Sequence, residues 1–289
     1  MSFPKFENFR VIRKICKKFC FTVYEIEDRG EEKRNFLKVL DRKTAQDPVN
    51  VYNFLNSGRM SSMLDCNNIV KVHFYGRELN HFVVVSEPID DRTLSLYIHE
   101  SSPIPLEKVL DIMIQLAEIL RHAHLRGIVH GILNPNSIYI NEARTIKIDD
   151  FGYSWIARNL LELEETEAMY LTYHIAPEIN LRVQKIDGRA DIYSLGVILL
   201  QLLTGCIPFN PFDNASTKNQ RLRISLRTLR KAIPNYPKRL DKVMLKTLNK
   251  DPDLRFQNLR HFEKELRLLK DEYLTAFSIP DITSLALES

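Results

Sequence analysis

The chain has 289 residues, 44% of them hydrophobic and 27% charged, a balance that excludes a disordered polymer and suits one large domain or two modest lobes. Lysine and arginine number 41 against 37 aspartates and glutamates, and the resulting net charge of +4 is too mild to imply nucleic acid. The longest weakly polar run, Ile192 to Leu203, is too short to cross a hydrocarbon layer of about 30 Å, so no membrane span is expected. The amino terminus shows neither a basic-then-apolar leader nor a glycine at position 2, and a cytoplasmic protein is expected. Cys16, Cys20, Cys66 and Cys206 form no C-x-x-C pair, and no histidine pair stands at zinc-finger spacing. They read as free, mostly buried thiols, and no metal site follows from them.

The predicted elements begin with short strands rich in β-branched and aromatic residues, at Phe9–Ile15, Thr22–Ile26 and Arg34–Leu40. A helix follows, roughly Pro48 to Leu64, and then strands at Val70–Tyr75 and Phe82–Val85. After a junction near Glu87–Thr93 the character changes. Pro105–Leu125 carries Leu106, Val109, Leu110, Ile112, Met113, Leu116, Ile119 and Leu120 at helical period, a wide apolar face. Strand-like pieces at Ile138–Ile140 and Thr145–Ile148 precede helices at Arg189–Leu203, Arg221–Ile233, Lys238–Leu248 and Leu259–Tyr273. The expected division is a strand-rich lobe over residues 1–88 with one helix, a helical lobe over 89–277, and a loosely held tail over 278–289.

Five strings recur in a fixed order. His130-Gly131-Ile132-Leu133-Asn134-Pro135-Asn136-Ser137-Ile138 is followed by Asp150-Phe151-Gly152 and Ala176-Pro177-Glu178. Then come Asp191-Ile192-Tyr193-Ser194-Leu195-Gly196 and Lys250-Asp251-Pro252-Asp253-Leu254-Arg255. With Phe36-Leu37-Lys38 upstream, this order closely resembles the protein kinase superfamily, of serine/threonine type, from about Phe9 to Leu269. The resemblance implies an α+β, bilobal protein-kinase-like fold, with a small β-rich N-lobe and a larger α-helical C-lobe. It also implies structural roles: Glu178 pairs with Arg255, Asp191 accepts hydrogen bonds from the loop backbone, and His130 and Phe151 pack in the core beside Gly152.

Phosphoryl transfer in this family needs a glycine-rich loop, a lysine held by a glutamate, a base, and magnesium ligands. In the register of the loop stand Cys16, Lys18 and Phe21, and a Cβ at each keeps the backbone away from a phosphate. The hairpin therefore reads as closed, with Lys17 and Lys18 solvated. Lys38 matches the family lysine, while Ser57 falls at the glutamate position, and Glu31, Glu32 and Glu100 lie elsewhere. Lys38 then reads as a partly exposed structural lysine. Phe36 and Tyr139 stand where small or aliphatic residues line the adenine slot, and are expected to fill it. In the catalytic loop, Ile132 replaces the aspartate that orients the hydroxyl, Asn134 replaces a lysine, Ser137 replaces the magnesium-binding asparagine, and Gly131 replaces an arginine. Asp150 alone survives from the metal site; Asp149, on an adjacent strand position, is expected to point the other way.

These substitutions give the expectation of a pseudokinase, catalytically inactive or nearly so, that acts as a protein-binding scaffold or allosteric regulator. Its site would be vestigial, with Lys38 and Asp150 as the remaining nucleotide and magnesium groups. No cofactor is expected, and any ATP or magnesium binding is expected to be weak. The alternatives are a weak or unconventional Ser/Thr protein kinase transferring the ATP γ-phosphate to a protein, and a nucleotide sensor without turnover. Glu162, Glu164, Glu165 and Glu167 in the activation segment read as a solvated acidic loop, near the hydroxyls of Tyr170, Thr172 and Tyr173. From Lys218 to Lys246 ten basic residues face the single acid Asp241, with Arg223, Arg227 and Arg230 at helical spacing. That stripe suits an acidic protein partner and lacks aromatics to stack nucleic-acid bases.

Overall fold

A computed structural model describes residues 4–18, 20–30, 32–153, 155, 173–180, 186–207 and 215–278. Its amino-terminal lobe is a five-stranded antiparallel sheet in the order β1-β2-β3-β5-β4. The strands are β1 (Phe9–Lys18), β2 (Phe21–Asp28), β3 (Arg34–Leu40), β4 (Val72–Glu78) and β5 (His81–Ser86). The β1–β2 ladder runs to Lys18 opposite Phe21, so the hairpin is tighter than the sequence predicts.

Helix α1 (Pro48–Ser62) crosses this sheet. It starts where the Asp47 side chain accepts from Val49 N at 2.9 Å, with Pro48 in the first turn, the usual chemistry of a helix start. Gly58 lets α1 lie against β4, because a Cβ there would come within 2.8 Å of Tyr75 Cβ.

The alternation of β3 fixes the orientation that matters most. Leu37 and Val39 join Phe6, Phe9, Ile26, Val83 and Val85 in an outer apolar cluster. Phe36 and Leu40 belong instead to the main core, which runs through both lobes. Period-2 geometry therefore turns Lys38, between them, toward the inner face.

The second lobe opens with β6 (Arg92–Thr93) and α2 (Leu94–Ser101), neither of which the sequence reading separated from the junction. Thr93 Oγ1 caps α2 by accepting from Leu96 N, and Leu94, Tyr97 and Ile98 form its buried face. The helix has only eight residues, about two turns, too few for its period to stand out. Helix α3 (Leu106–His124) buries Val109, Leu110, Ile112, Met113, Leu116, Ala117 and Leu120, each large aliphatic side chain contributing about 1.5–3 kcal/mol. A small sheet, β6-β7-β8, adds β7 (Ile138–Ile140) and β8 (Ile146–Ile148). The remaining described helices are α4 (Pro177–Asn180), α5 (Arg189–Thr204), α6 (Ala215–Ala232), α7 (Lys238–Thr247) and α8 (Leu259–Ser278). Helix α8 continues past the expected Tyr273. Among the described residues no helix is long and apolar enough to cross a membrane.

One buried ion pair ties the helical lobe together. Arg255, whose side chain is fully buried, donates to both Glu178 oxygens at 2.7 and 2.8 Å. It also donates to the carbonyls of Arg189, Asn249 and Lys250 and lies over the Tyr193 ring. Every donor direction of the guanidinium fork is used, which offsets the desolvation cost of burial. Arg255→Ala leaves Glu178 without its counter-charge. Losing one partner of a buried pair costs roughly 3–5 kcal/mol, so thermal unfolding is expected to fall by roughly 10 °C for a domain of this size.

Candidate active site between the lobes

Lys38 reaches from β3 across the gap between the lobes. Its Nζ donates to Asp149 Oδ1 at 2.8 Å and to Asp150 Oδ1 at 2.7 Å, and its side chain is 4% exposed. Lys18, at the end of β1, donates to Asp150 Oδ2 at 2.6 Å and is 18% exposed. Two ammonium groups from one lobe thus meet two carboxylates from the other. Lys38 is a buried, doubly paired lysine rather than a partly exposed structural one. Lys18 is an ion-paired residue of the site rather than a solvated surface lysine, whereas Lys17 stays exposed near Asp41.

The backbone explains why both aspartates face the same way. Strand β8 ends at Ile148, and Asp150 has φ of +62°, so the alternation of a strand no longer applies. The chain turns, and Asp149 joins Asp150 on Lys38, contrary to the opposite-face expectation. Gly152 follows with φ of +78°, and a Cβ there would meet Ser57 Cα at 3.2 Å; glycine meets both constraints.

Helix α1 holds no acidic residue, so no shifted register supplies a glutamate for Lys38. Ser57 stands there instead, fully buried, and its Oγ lies 2.8 Å from both Asn53 O and Gly152 O. Trp155 Nε1 donates to the same oxygen at 3.1 Å, and Ser61 Oγ donates to Phe151 O at 3.3 Å. The serines bind the Asp-Phe-Gly turn to α1 through its backbone. Tyr153, next in sequence, packs between Phe21 and Phe54 with ring centroids at 5.3 and 6.1 Å. Its ring lies 5.4 Å from Lys38 Nζ, and its buried hydroxyl has no hydrogen-bond partner among the described residues. Glu32 is exposed, Glu100 pairs with Arg92, and Glu31 lies outside the described residues.

Electrostatics follow from this crowding. Burial alone would raise the Asp150 pKa, but Lys18 and Lys38 outweigh it and hold the carboxyl well below the usual carboxylate range. Burial likewise works against charged Lys38, and the adjacent Asp149 and Asp150 override it and keep the ammonium protonated. Tyr139, half-buried on β7, has its phenol pushed up to about 12, chiefly by burial. Tyr139 and Phe36 lie in the same continuous core, and the Arg34 guanidinium sits over the Phe36 ring, 5.7 Å from its centroid.

The catalytic-loop string is held from below. Asp191, at the start of α5, accepts from the backbone N–H of His130 at 2.9 Å and of Gly131 at 2.7 Å. His124 Nε2 donates to the same carboxylate at 2.7 Å, a partner the sequence reading did not anticipate. His130 donates through Nε2 to Asp149 O and packs on Phe151 at 4.9 Å. Its buried Nδ1 has no partner among the described residues, and burial lowers its pKa, both consistent with a neutral ring. Ile132 is buried and presents no proton acceptor. Asn134 turns inward: Nδ2 donates to Ile132 O, and Oδ1 accepts from Asn136 N. Ser137 Oγ donates to Asn134 O at 2.9 Å. Both polar side chains are thus spent inside the loop rather than facing Asp150.

The protein kinase domain model matches residues 13–266. The chain belongs to the protein kinase domain family. The kinase domain is 27% identical over 264 residues to serine/threonine-protein kinase PrkC of Bacillus subtilis, covering 91% of this chain and 41% of PrkC. Over 277 residues it is 29% identical to serine/threonine-protein kinase Pkn1 of Myxococcus xanthus, covering 92% and 39%. Over 235 residues it is 28% identical to serine/threonine-protein kinase PknB of Mycobacterium leprae, covering 80% and 38%. The chain thus spans about two fifths of the length of these relatives. Its fold matches that of the Mycobacterium tuberculosis PknI kinase domain with a TM-score of 0.72 and 23% identity, covering 92% of this chain and 98% of that one.

These findings overturn the expectation of an inactive scaffold. The relatives matched over four fifths or more of the chain are named as serine/threonine kinases. The inference of inactivity rested on substituted loop positions read one by one, and it missed that Lys18, Asp149 and the buried Lys38 assemble around Asp150. The acidic stretch Glu162–Glu167, with Tyr170 and Thr172, lies outside the described residues.

The charge cluster carries a pH signature. Asp150 is depressed in the folded state, so its stabilising effect is present above the unfolded value of 3.8 and is lost as pH falls through the lower folded value. Lys38→Met removes one of its two cations. The variant is expected to be several kcal/mol less stable than the parent at pH 7, and the deficit should shrink as pH falls below 3.8 and a carboxylate protonates. Urea unfolding at both pH values checks this; a deficit independent of pH would mean that lost packing, not charge, is responsible.

Proposed function

We propose that this kinase domain is a weak, unconventional serine/threonine protein kinase that transfers the γ-phosphate of ATP to a protein hydroxyl. The observation that carries the reading is the joining of Lys38 and Lys18 to Asp149 and Asp150 at the interlobe face. The names of the relatives support the reaction class. The donor set suits a nucleotide phosphate chain with magnesium: ammonium groups for phosphate oxygens, carboxylates for a hard cation. Magnesium bound there would neutralise phosphate charge. In this reading Lys38 binds and orients the phosphates, and Asp149 and Asp150 become available to the metal as their lysine partners turn to phosphate.

The hydroxyl oxygen of the acceptor protein bonds to the γ-phosphorus, the bond to the β–γ bridging oxygen breaks, and ADP leaves. Ile132 cannot accept the hydroxyl proton, which passes to solvent or phosphate. Such transfers pass through a loose transition state governed mainly by positioning and electrostatics, so the lack of a base slows the reaction without abolishing it. A general base contributes about 10²–10⁴-fold, and that factor sets the expected shortfall.

Transfer of labelled γ-phosphate to a serine/threonine-rich protein, in the presence of magnesium, tests the reading. The parent should show slow incorporation, Asp150→Asn should lose it, and Ile132→Asp should raise it by about 10²-fold. Incorporation unchanged in Asp150→Asn would sink the assignment. Phe36 and Tyr139 narrow the adenine side of the site in the same reading, so Phe36→Ala should tighten ATP binding, measured by calorimetry. Weaker binding would show that the ring instead supports the nucleotide.

The basic stripe is assigned to an acidic protein partner. On α6 the residues Leu222, Leu226 and Leu229 are buried while Arg223 and Arg227 are exposed. Arg230 is engaged by Asp241, with Nε at 2.9 Å, so the stripe rests on the first two arginines. Lys218 has no described side chain.

A further inference from the structure

We propose that Lys18 is a second phosphate-binding cation, whose ammonium exchanges Asp150 for the phosphate chain of a nucleoside triphosphate. This rests on the kinase reading above and adds to it a residue that the glycine-loop pattern does not supply.

The hairpin sets the problem. Cys16, Lys18 and Phe21 each bear a Cβ, and the ladder closes with Lys18 opposite Phe21. A backbone so paired and side-chain-bearing cannot wrap around a phosphate with its amides. Phe21, almost fully buried, anchors the tip against Tyr153 and Phe54. The end of β1 is therefore held at the site, and what it presents there is the Lys18 ammonium. Cys16 and Lys18 share a strand face while Lys17 points away, as the alternation requires; their burial follows the same parity.

The pairing itself is informative. Asp150 Oδ1 already accepts from Lys38 at 2.7 Å, and Lys18 takes Oδ2 at 2.6 Å. A structural latch needs one lysine on that carboxylate, and a second brings like charge close to the first. The arrangement is what a polyanion site looks like when its own carboxylates stand in for the ligand. Lys18 is the more exposed of the two lysines and Lys38 the more enclosed, so a phosphate chain arriving from solvent meets Lys18 first. Helix α1 offers no acidic side chain to hold either lysine, and their anionic partners come from the Asp149-Asp150 turn. Each lysine that moves to phosphate releases carboxylate oxygen from Asp150, coupling phosphate capture to metal capture.

Calorimetric titration of ATP, ADP and adenosine, each with and without magnesium, into the parent, Lys18→Met and Lys18→Arg separates the possibilities. ATP affinity is expected to fall about 10- to 100-fold in Lys18→Met, the loss of one charge-assisted contact. Lys18→Arg should retain most of it, and adenosine affinity should stay unchanged. ATP binding that is unchanged or tighter in Lys18→Met overturns the proposal, because a mere latch, once removed, leaves Asp150 freer for magnesium. Equal losses for ATP and adenosine also overturn it, pointing to collapse of the hairpin. A parent that binds none of these ligands defeats the kinase reading itself, whatever the Lys18 variants do.

Discussion

The folded chain depends on a buried exchange of charge between its two halves. Lys18 and Lys38 come from β1 and β3, Asp149 and Asp150 from the end of β8, and the four groups meet where the lobes touch. Burying any one of them alone would cost several kcal/mol. Burying them together makes the desolvation tolerable only while the lobes stay in register. The cluster therefore fixes the lobes to each other.

The surroundings serve that cluster in three ways. The outer apolar residues of β3, Leu37 and Val39, leave Lys38 facing inward. The serines of α1 hold the Asp-Phe-Gly turn through backbone oxygens, so the helix positions Asp150 without contributing a charge. Below, Asp191 collects the His130 and Gly131 amides and the His124 ring, and His130 in turn holds the Asp149 carbonyl. A continuous line of hydrogen bonds thus runs from α5 to the charged cluster. Arg255 and Glu178 fasten the start of the same helix, through the Arg189 carbonyl.

The loop residues taken singly point toward inactivity. Ile132 carries no proton acceptor, and the side chains of Asn134 and Ser137 are bonded within their own loop. A position-by-position reading does not show the contacts that another element brings to the loop. Lys18 looked like one more surface lysine because its sequence neighbour Lys17 is one. Strand parity, with Cys16 and Lys18 on one face, was the available signal. Asp149 was set aside by the rule that neighbouring strand residues oppose each other, a rule that lapses at the first residue with positive φ.

The sequence by itself determined the two-lobed order of elements, the inward face of α3, the family, and the Lys38, Asp150, Asp191 and Arg255 positions. Periodicity and ordered motifs are local properties, written in consecutive residues. The partner of Lys38, the capture of Lys18, the shared direction of Asp149 and Asp150 and the His124 contact to Asp191 were decided only by tertiary structure. Each joins residues far apart in the chain, and each depends on a turn or a lobe approach that no local pattern encodes. The same four charges on solvated strands would have been worth little; brought together out of water, they form one buried cluster that joins the lobes.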